Sequence, residues 1–268
     1  MRILTWPSPW LRMLETLPHQ FITATGAARR QRFDCILLHG ESQYLDEQYE
    51  LLTPAQRRLP KIYLELEPPR QHPVDSRHPV ADERITVVHL SSYNALMWDH
   101  GCCPVRVIEP GVADPGARYT GELARGVALA GASGRRAGAD LLERACAALA
   151  LDVRDTIDPA CRFAFHPARQ QSLPLELIEA MMAGTPLVAP AAGELPTLIR
   201  DGENGFIDTD MDRLLDRMAQ LLADPALAAR LGVAARETAL RRFGLRRFIG
   251  EWNAVLADAT GGALRSAA

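Results

Sequence analysis

Lysine is almost absent. Lys61 is the only one in 268 residues, so arginine carries nearly all the positive charge of a chain with 30 basic and 33 acidic side chains. The net charge of −3 excludes a general electrostatic nucleic-acid binder, which needs a basic face. Arginine does suit phosphate, because its planar fork donates two parallel hydrogen bonds. CxxC pairs are lacking too. Cys35, Cys102, Cys103, Cys146 and Cys161 read as free thiols of a reducing cytoplasm, the adjacent pair being a poor geometry for a bridge. The seven histidines have no metal-ligand spacing, which argues against zinc. No apolar run reaches the roughly 18 residues of a membrane span. The opening MRILTWPSPWLRML is too short and too interrupted by proline for a signal peptide. No GxGxxG follows a strand, and the first strand runs into TWPSPW without a glycine, so a Rossmann-type oxidoreductase lacks support.

What is present is alternation. Short apolar runs at 2–6, 21–25, 34–38, 62–66, 85–90, 105–109, 126–131, 162–165, 186–190 and 205–208 read as strands, several apolar on both faces as buried parallel strands are. Helical patterns lie near 44–58, 92–99, 138–150, 173–183 and 194–200. Such alternation predicts doubly wound α/β layers. Residues 210–258 differ: they read as three helices, with Asp210 and Asp224-Pro225 opening the first two and Gly244 separating the last. Leu214, Leu215, Met218, Leu221 and Leu222 recur at helical spacing as a packing face. EPGVADPGARYTGE, 109–122, is the expected boundary between two lobes of about 110–140 residues, small for Rossmann-like units.

Within HPARQQSLPLELIEAMMAG, 166–184, Ser172 is a good N-cap, Pro174 falls in the first turn and Gly184 permits a left-handed stop. Gln171 and Glu179 stand eight apart; by periodicity Glu179 is as readily a surface glutamate as a ligand contact. The following AAGELPTLIRDGENGF, 191–206, is strand–turn–helix punctuation whose helix-start amides can also receive an anion. His72, His78 and His89 favour structural roles, and Trp6, Trp10 and Trp98 favour the core.

The run SLPLELIEAMMAGTPLVAPAAGELPTLIRDGENGFIDTD, carried on by ADPALAARLGVAARETALRRFG, resembles the donor-binding core of retaining glycosyltransferases of family 4, group 1 glycosyltransferases of the GT-B class. Glu179-Ala180-Met181, Gly184, Pro186, Gly193 and Asp201-Gly202-Glu203-Asn204-Gly205 stand in register with the family pattern. VIEPGV (107–112) and ASGRRAGADLLERA (132–145) match more loosely. The resemblance implies a compact α/β fold of two Rossmann-like lobes facing a cleft, with a C-terminal helical tail. It implies an acceptor-side lobe at 1–115, a nucleotide-sugar lobe at 116–268, and a helix at 245–260 able to pack back on the first.

For chemistry, the resemblance implies transfer of a sugar from a nucleoside-diphosphate sugar to a hydroxyl acceptor, with retention and with no metal or other cofactor. The acceptor would be a saccharide, a lipid-linked or a small molecule. The setting would be cytoplasmic, without nucleic acid or membrane span and with peripheral membrane association left open. Glu179 matches the ribose-binding glutamate; Arg135, Arg136 and the amides near Ser172 and Leu173 would meet the diphosphate. Gln171 stands where the family has a sugar-side glutamate, and an amide cannot place negative charge beside an oxocarbenium-like transition state. Only a dozen residues join Leu151 to Phe163, where the family has a further strand, loop and helix, and Leu66 stands at a place where related chains have histidine. The alternative is therefore a degenerate relative that binds nucleotide or scaffolds a partner.

Overall fold

The computed structural model describes residues 1–72, 74–129, 134–170 and 172–261. Gln171 and residues 130–133 of the predicted strand and turn thus lie outside the described residues. Two compact units emerge, Met1–Gly111 with the segment from Leu245 onward, and Val112–Gly244.

In the first unit the strands are β1 (Arg2–Thr5), β2 (Gln20–Thr23), β3 (Cys35–Leu38), β4 (Lys61–Glu65), β5 (Ser76–Arg77), β6 (Thr86–His89), β7 (Trp98–Asp99) and β8 (Val105–Val107). Six of them form a parallel sheet in the order β2-β1-β3-β4-β6-β8, and β5 pairs with β7. β3 is buried on both faces, as a central parallel strand must be. The helices α1 (Leu11–Leu14), α2 (Gln48–Leu51) and α3 (Ser92–Leu96) are short. The long helix expected at 44–58 is broken, because Pro54 disfavours helical backbone at Thr53, whose amide donates instead to the Gln56 side chain (2.9 Å).

The second unit follows a strict alternation: β9 (Leu123–Leu129), α4 (Ala139–Ala148), β10 (Leu151–Arg154), β11 (Cys161–Phe165), α5 (Leu175–Ala183), β12 (Leu187–Pro190), α6 (Leu195–Leu198) and β13 (Gly205–Asp208). Its sheet is parallel, in the order β10-β9-β11-β12-β13. β10 occupies the stretch read as a bare connection; it is an edge strand of four residues, none of them fully buried, and leaves little apolar signal. Two helices follow, α7 (Met211–Ala223) and α8 (Pro225–Phe243), each opened by an aspartate: Asp210 accepts from the Asp212 amide and Asp224 from the Leu227 amide, both at 2.9 Å. Leu214, Met218 and Leu221 are buried against Phe163, Phe165 and Val188 of the sheet.

The last helix, α9 (Leu245–Ala259), belongs to the first unit. A Cβ on Gly111 would lie 2.4 Å from the Phe248 side chain, and Asn253 Oδ1 is 2.9 Å from His19 Nε2. Phe248 and Trp252 are both at most 1% exposed, so the apolar stripe of α9 is what fixes it there. The second unit accordingly stops at Gly244, and the helix expected at 245–260, assigned from sequence to the second lobe with packing on the first left open, groups with the first. The α/β class, the parallel sheets and the helical C-terminal tail are as the alternation predicts.

Helix α5 begins two residues later than expected. Pro174, extended at φ −62 and ψ 140, occupies the N-cap position without a side-chain cap, so Ser172 is not the cap. A residue before proline avoids the helical region, which keeps Leu173 out of the helix. Gly184 ends α5 at φ 102, and its carbonyl faces Gly232 of α8 so closely that a Cβ on Gly232 would lie 2.0 Å from it. Overpacking there costs about 1–3 kcal/mol, which outweighs the gain of about 1 kcal/mol from replacing a helical glycine. Gly232→Val, which adds bulk without that full gain, should lower the melting temperature by several degrees. Gly250→Ala on α9, with nothing within 4 Å of the new methyl, should raise it slightly in the same thermal melt.

Candidate functional site

Strand order in the second unit reverses between β9 and β11. At such a reversal the connecting loops diverge and a crevice opens outside the carboxyl ends of the strands. The loops that meet there run through Gly134–Gly138 into α4 and through His166–Pro174 into α5. They are bound to each other. The Arg136 carbonyl accepts from the Arg169 and Gln170 amides, at 2.8 and 3.1 Å. The Arg169 guanidinium grips Asp140 with two parallel bonds of 2.6 and 2.8 Å and donates to the Arg135 carbonyl at 2.9 Å. That grip holds the Asp140 carboxyl down at about 2. Gly138, at φ 76, lets the loops touch: a Cβ there would lie 2.0 Å from the Pro167 carbonyl oxygen.

The structure therefore gathers Arg135, Arg136, Ser172 and Leu173 at one sheet edge. Arg135 is exposed, Arg136 and Ser172 are half-buried, and Leu173 is buried. Glu179 lies on α5, a helix with seven of nine residues buried. It is half-buried, one turn after Glu176, and the two carboxylates make the polar face of that helix. Gln171, the sugar-side residue of the sequence reading, lies outside the described residues.

Three residues that were assigned no role from sequence also stand here. A recess at the end of β11 is lined by His166, Arg169, Leu173, Gly193, Glu194 and Leu195. Gly193, at φ 58, turns the chain from β12 into α6 and presents Glu194 to the recess. Arg242 lies 3.9 Å from Glu194 and donates to the Thr197 carbonyl at 2.6 Å, steadying that turn from α8. His166 is 7% exposed; its amide donates to the Val188 carbonyl at 2.9 Å, and its ring has no hydrogen-bond partner among the described residues. Burial pulls its pKa down to about 4, so the imidazole is uncharged at neutral pH. A neighbouring cavity of about 260 Å³ shares Arg169 and Ala192 with this recess. Nothing in local spacing marks these residues; parallel-sheet topology assembles them. Asn204, by contrast, is structural: it accepts from the Arg200 amide at 2.7 Å and donates to the Leu198 carbonyl at 3.0 Å, closing the DGENG turn.

In the first unit His78, His89 and His100 pack together. His89 Nε2 lies 2.7 Å from His100 Nε2. His78 Nδ1 accepts from the Val80 amide at 3.2 Å, which puts its proton on Nε2, 3.3 Å from Glu65 Oε2 but out of line for a hydrogen bond. Trp6 is 5% exposed in the adjoining core, and Trp98 donates to the Glu67 carbonyl at 3.1 Å. Among the described residues no group of His, Cys, Asp and Glu is arranged to hold a metal ion, and no helix is long and apolar enough to cross a membrane.

Residues 155–238 match the family model of glycosyl transferases, group 1. The span runs from the end of β10 into α8, and contains the recess and all of α5. The GDP-mannose-dependent alpha-(1-6)-phosphatidylinositol monomannoside mannosyltransferase of Mycolicibacterium smegmatis is 39% identical over 72 residues, 26% of this chain and 19% of its own length. The D-inositol 3-phosphate glycosyltransferase of Xylanimonas cellulosilytica is 42% identical over 80 residues, 29% of this chain and likewise 19% of its own. The chain thus spans about a fifth of these curated relatives. Similarity of fold reaches further. The crystal structure of Anabaena HepE with UDP and glucose superposes with a TM-score of 0.70 over 96% of this chain and 100% of that one, at 15% identity. The fold is GT-B-like.

Two buried uncharged histidines make stability pH-dependent. His89 is lowered to about 3 by burial and by His100 and His78, and His166 to about 4, both below their ordinary 6.5. The unfolded chain takes up these protons first, so stability is fully present above pH 6.5 and is lost as pH falls towards 3 to 4. Each histidine should remove about 2 kcal/mol between pH 7 and pH 5. Urea melts at those two pH values should show the loss, reduced by about half in His89→Asn. A flat profile would contradict burial of the uncharged rings.

Proposed function

We propose that this chain is a retaining glycosyltransferase of family 4 that moves a sugar from a nucleoside-diphosphate sugar to a hydroxyl acceptor, in glycan or glycoconjugate biosynthesis. One observation carries the reading: two arginine-bearing loops clamped at the strand-order reversal, beside a buried helix whose polar face holds Glu179. The group 1 glycosyl transferase model matches 155–238, which contains this region, and one relative is named as GDP-mannose-dependent.

The division of labour follows the ligand. A diphosphate calls for paired donors, which Arg135, Arg136 and the amides at Ser172 and Leu173 supply. A ribose diol calls for an acceptor of two hydrogen bonds, and the Glu179 carboxylate is one. Gln171 takes the sugar side, and it can both donate and accept there. The rate comes from positioning the two substrates and from stabilising the departing diphosphate, with no classical base. The two arginines supply the counter-charge, so the reading requires no metal. We assign acceptor contacts to the first unit. The acceptor is a saccharide, a lipid-linked or a small molecule, and the setting is cytoplasmic, with association at a membrane surface compatible with it.

Glu179→Ala removes a charge-assisted pair of hydrogen bonds. Affinity for the cognate nucleoside diphosphate should fall about 10- to 100-fold in calorimetry with UDP and GDP, the equivalent of roughly 1.5–3 kcal/mol. Product detection with the corresponding glucose and mannose donors completes the test. Binding without transfer from any donor, with turnover restored by Gln171→Glu, would replace the enzyme by a nucleotide-binding relative.

A further inference from the structure

The entrance to an anion site is an unfavourable place for a carboxylate. The loop Gly134–Gly138 leads directly into α4, and Asp140 stands in the first turn of that helix, half-exposed. An acidic side chain at a helix start does complement the helix dipole. It also repels a diphosphate that comes to the arginines and amides beside it. The dipole accounts for the carboxylate but not for what the carboxylate holds. Arg169, on the other loop, commits three of its five N–H donors here. Two go to the oxygens of Asp140, at 2.6 and 2.8 Å, and one to the Arg135 carbonyl, at 2.9 Å.

We infer that Asp140 and Arg169 are positioning residues: their pair sets the spacing of the two loops that hold the donor diphosphate, and neither side chain is itself a diphosphate ligand. This rests on the glycosyltransferase reading above, in which Arg135 and Arg136 come from one loop and the amides at Ser172 and Leu173 from the other. Two further contacts join these loops. The Arg136 carbonyl accepts from the Arg169 and Gln170 amides at 2.8 and 3.1 Å, and a Cβ on Gly138 would lie 2.0 Å from the Pro167 carbonyl oxygen. Two contact points leave rotation about the line between them. The Asp140–Arg169 pair, with its bond to Arg135, supplies a third. A bidentate pair suits that task, because two parallel bonds fix direction as well as distance. To act as a ligand, Arg169 would have to leave Asp140, and the vacated carboxylate would then stand uncompensated beside the diphosphate.

The two roles give opposite signs for one substitution. Asp140→Asn removes a negative charge beside an anion site and releases Arg169. Were Arg169 a diphosphate ligand, binding would tighten; with the pair as a positioning device, binding weakens. Calorimetry of the full chain with UDP, GDP and ADP, well below its melting temperature, reads the sign. For whichever diphosphate binds, Asp140→Asn should lower affinity about 3- to 10-fold, and Arg169→Ala at least as much. Asp140→Glu, which keeps both oxygens and the charge, should recover most of that loss. Arg169→Lys, which keeps the charge without the fork, should recover little. The double variant Asp140→Asn/Arg169→Ala should bind no worse than Arg169→Ala alone, because the pair acts as one unit. Arg144→Ala, which removes the exposed pair between α4 and Asp212, is the control and should stay within about twofold. Tighter or unchanged binding in Asp140→Asn, additive losses in the double variant, or an equal loss in Arg144→Ala would each overturn the inference and leave the glycosyltransferase reading standing. If the unaltered protein binds none of the three diphosphates, both fall.

Discussion

The Arg169 guanidinium ties together the two loops on which the site depends. Its fork spans both oxygens of Asp140 at the start of α4 and reaches back to the Arg135 carbonyl, while the Arg169 backbone hangs on Arg136. A parallel sheet brings strand ends to one edge but does not by itself fix the loops beyond them. Here a bidentate ion pair, two amide bonds to one carbonyl and a glycine contact do so together. Arg135 and Arg136 are thereby held through their backbones. The same economy appears behind α5, where the Gly184–Gly232 approach seats an almost wholly apolar helix against α8.

The electrostatic character of the two units is different. The second keeps its charged groups at the rim of the sheet, where aspartates are held ionised by arginines, and buries one uncharged histidine beside them. The first packs His78, His89 and His100 as a mutual cluster, with Glu65 at its border. Cysteine adds nothing reactive to either core: all five thiols are free, and burial pushes Cys35 up to about 12, where it stays protonated.

Much of this was legible in the residues. Continuous apolar runs such as CILL and LVAP announce central parallel strands, because nothing else buries both faces of so short a segment. Asp210 and Asp224 announce helix starts through a local hydrogen bond. The Gly184 stop and the Glu179 helix were legible for the same reason. Edge strand β10 was not, since its exposed faces leave no apolar pattern. Ser172 misled, because the proline two residues on overrides its capping ability. His166, Arg169 and Glu194 act through contacts between segments far apart in the chain, and no local spacing encodes those.

The chain passes between its two units twice, at 111/112 and again at 244/245. The second unit is one continuous segment, while the first is completed only by α9. On the ribosome, residues 112–244 can collapse around their own sheet as soon as they emerge. The earlier-made sheet waits with Gly111 uncovered until Phe248 and Trp252 arrive. Synthesis order and completion order are thus reversed: the part made first is finished last, and its exposed apolar surface is the one a chaperone has reason to hold.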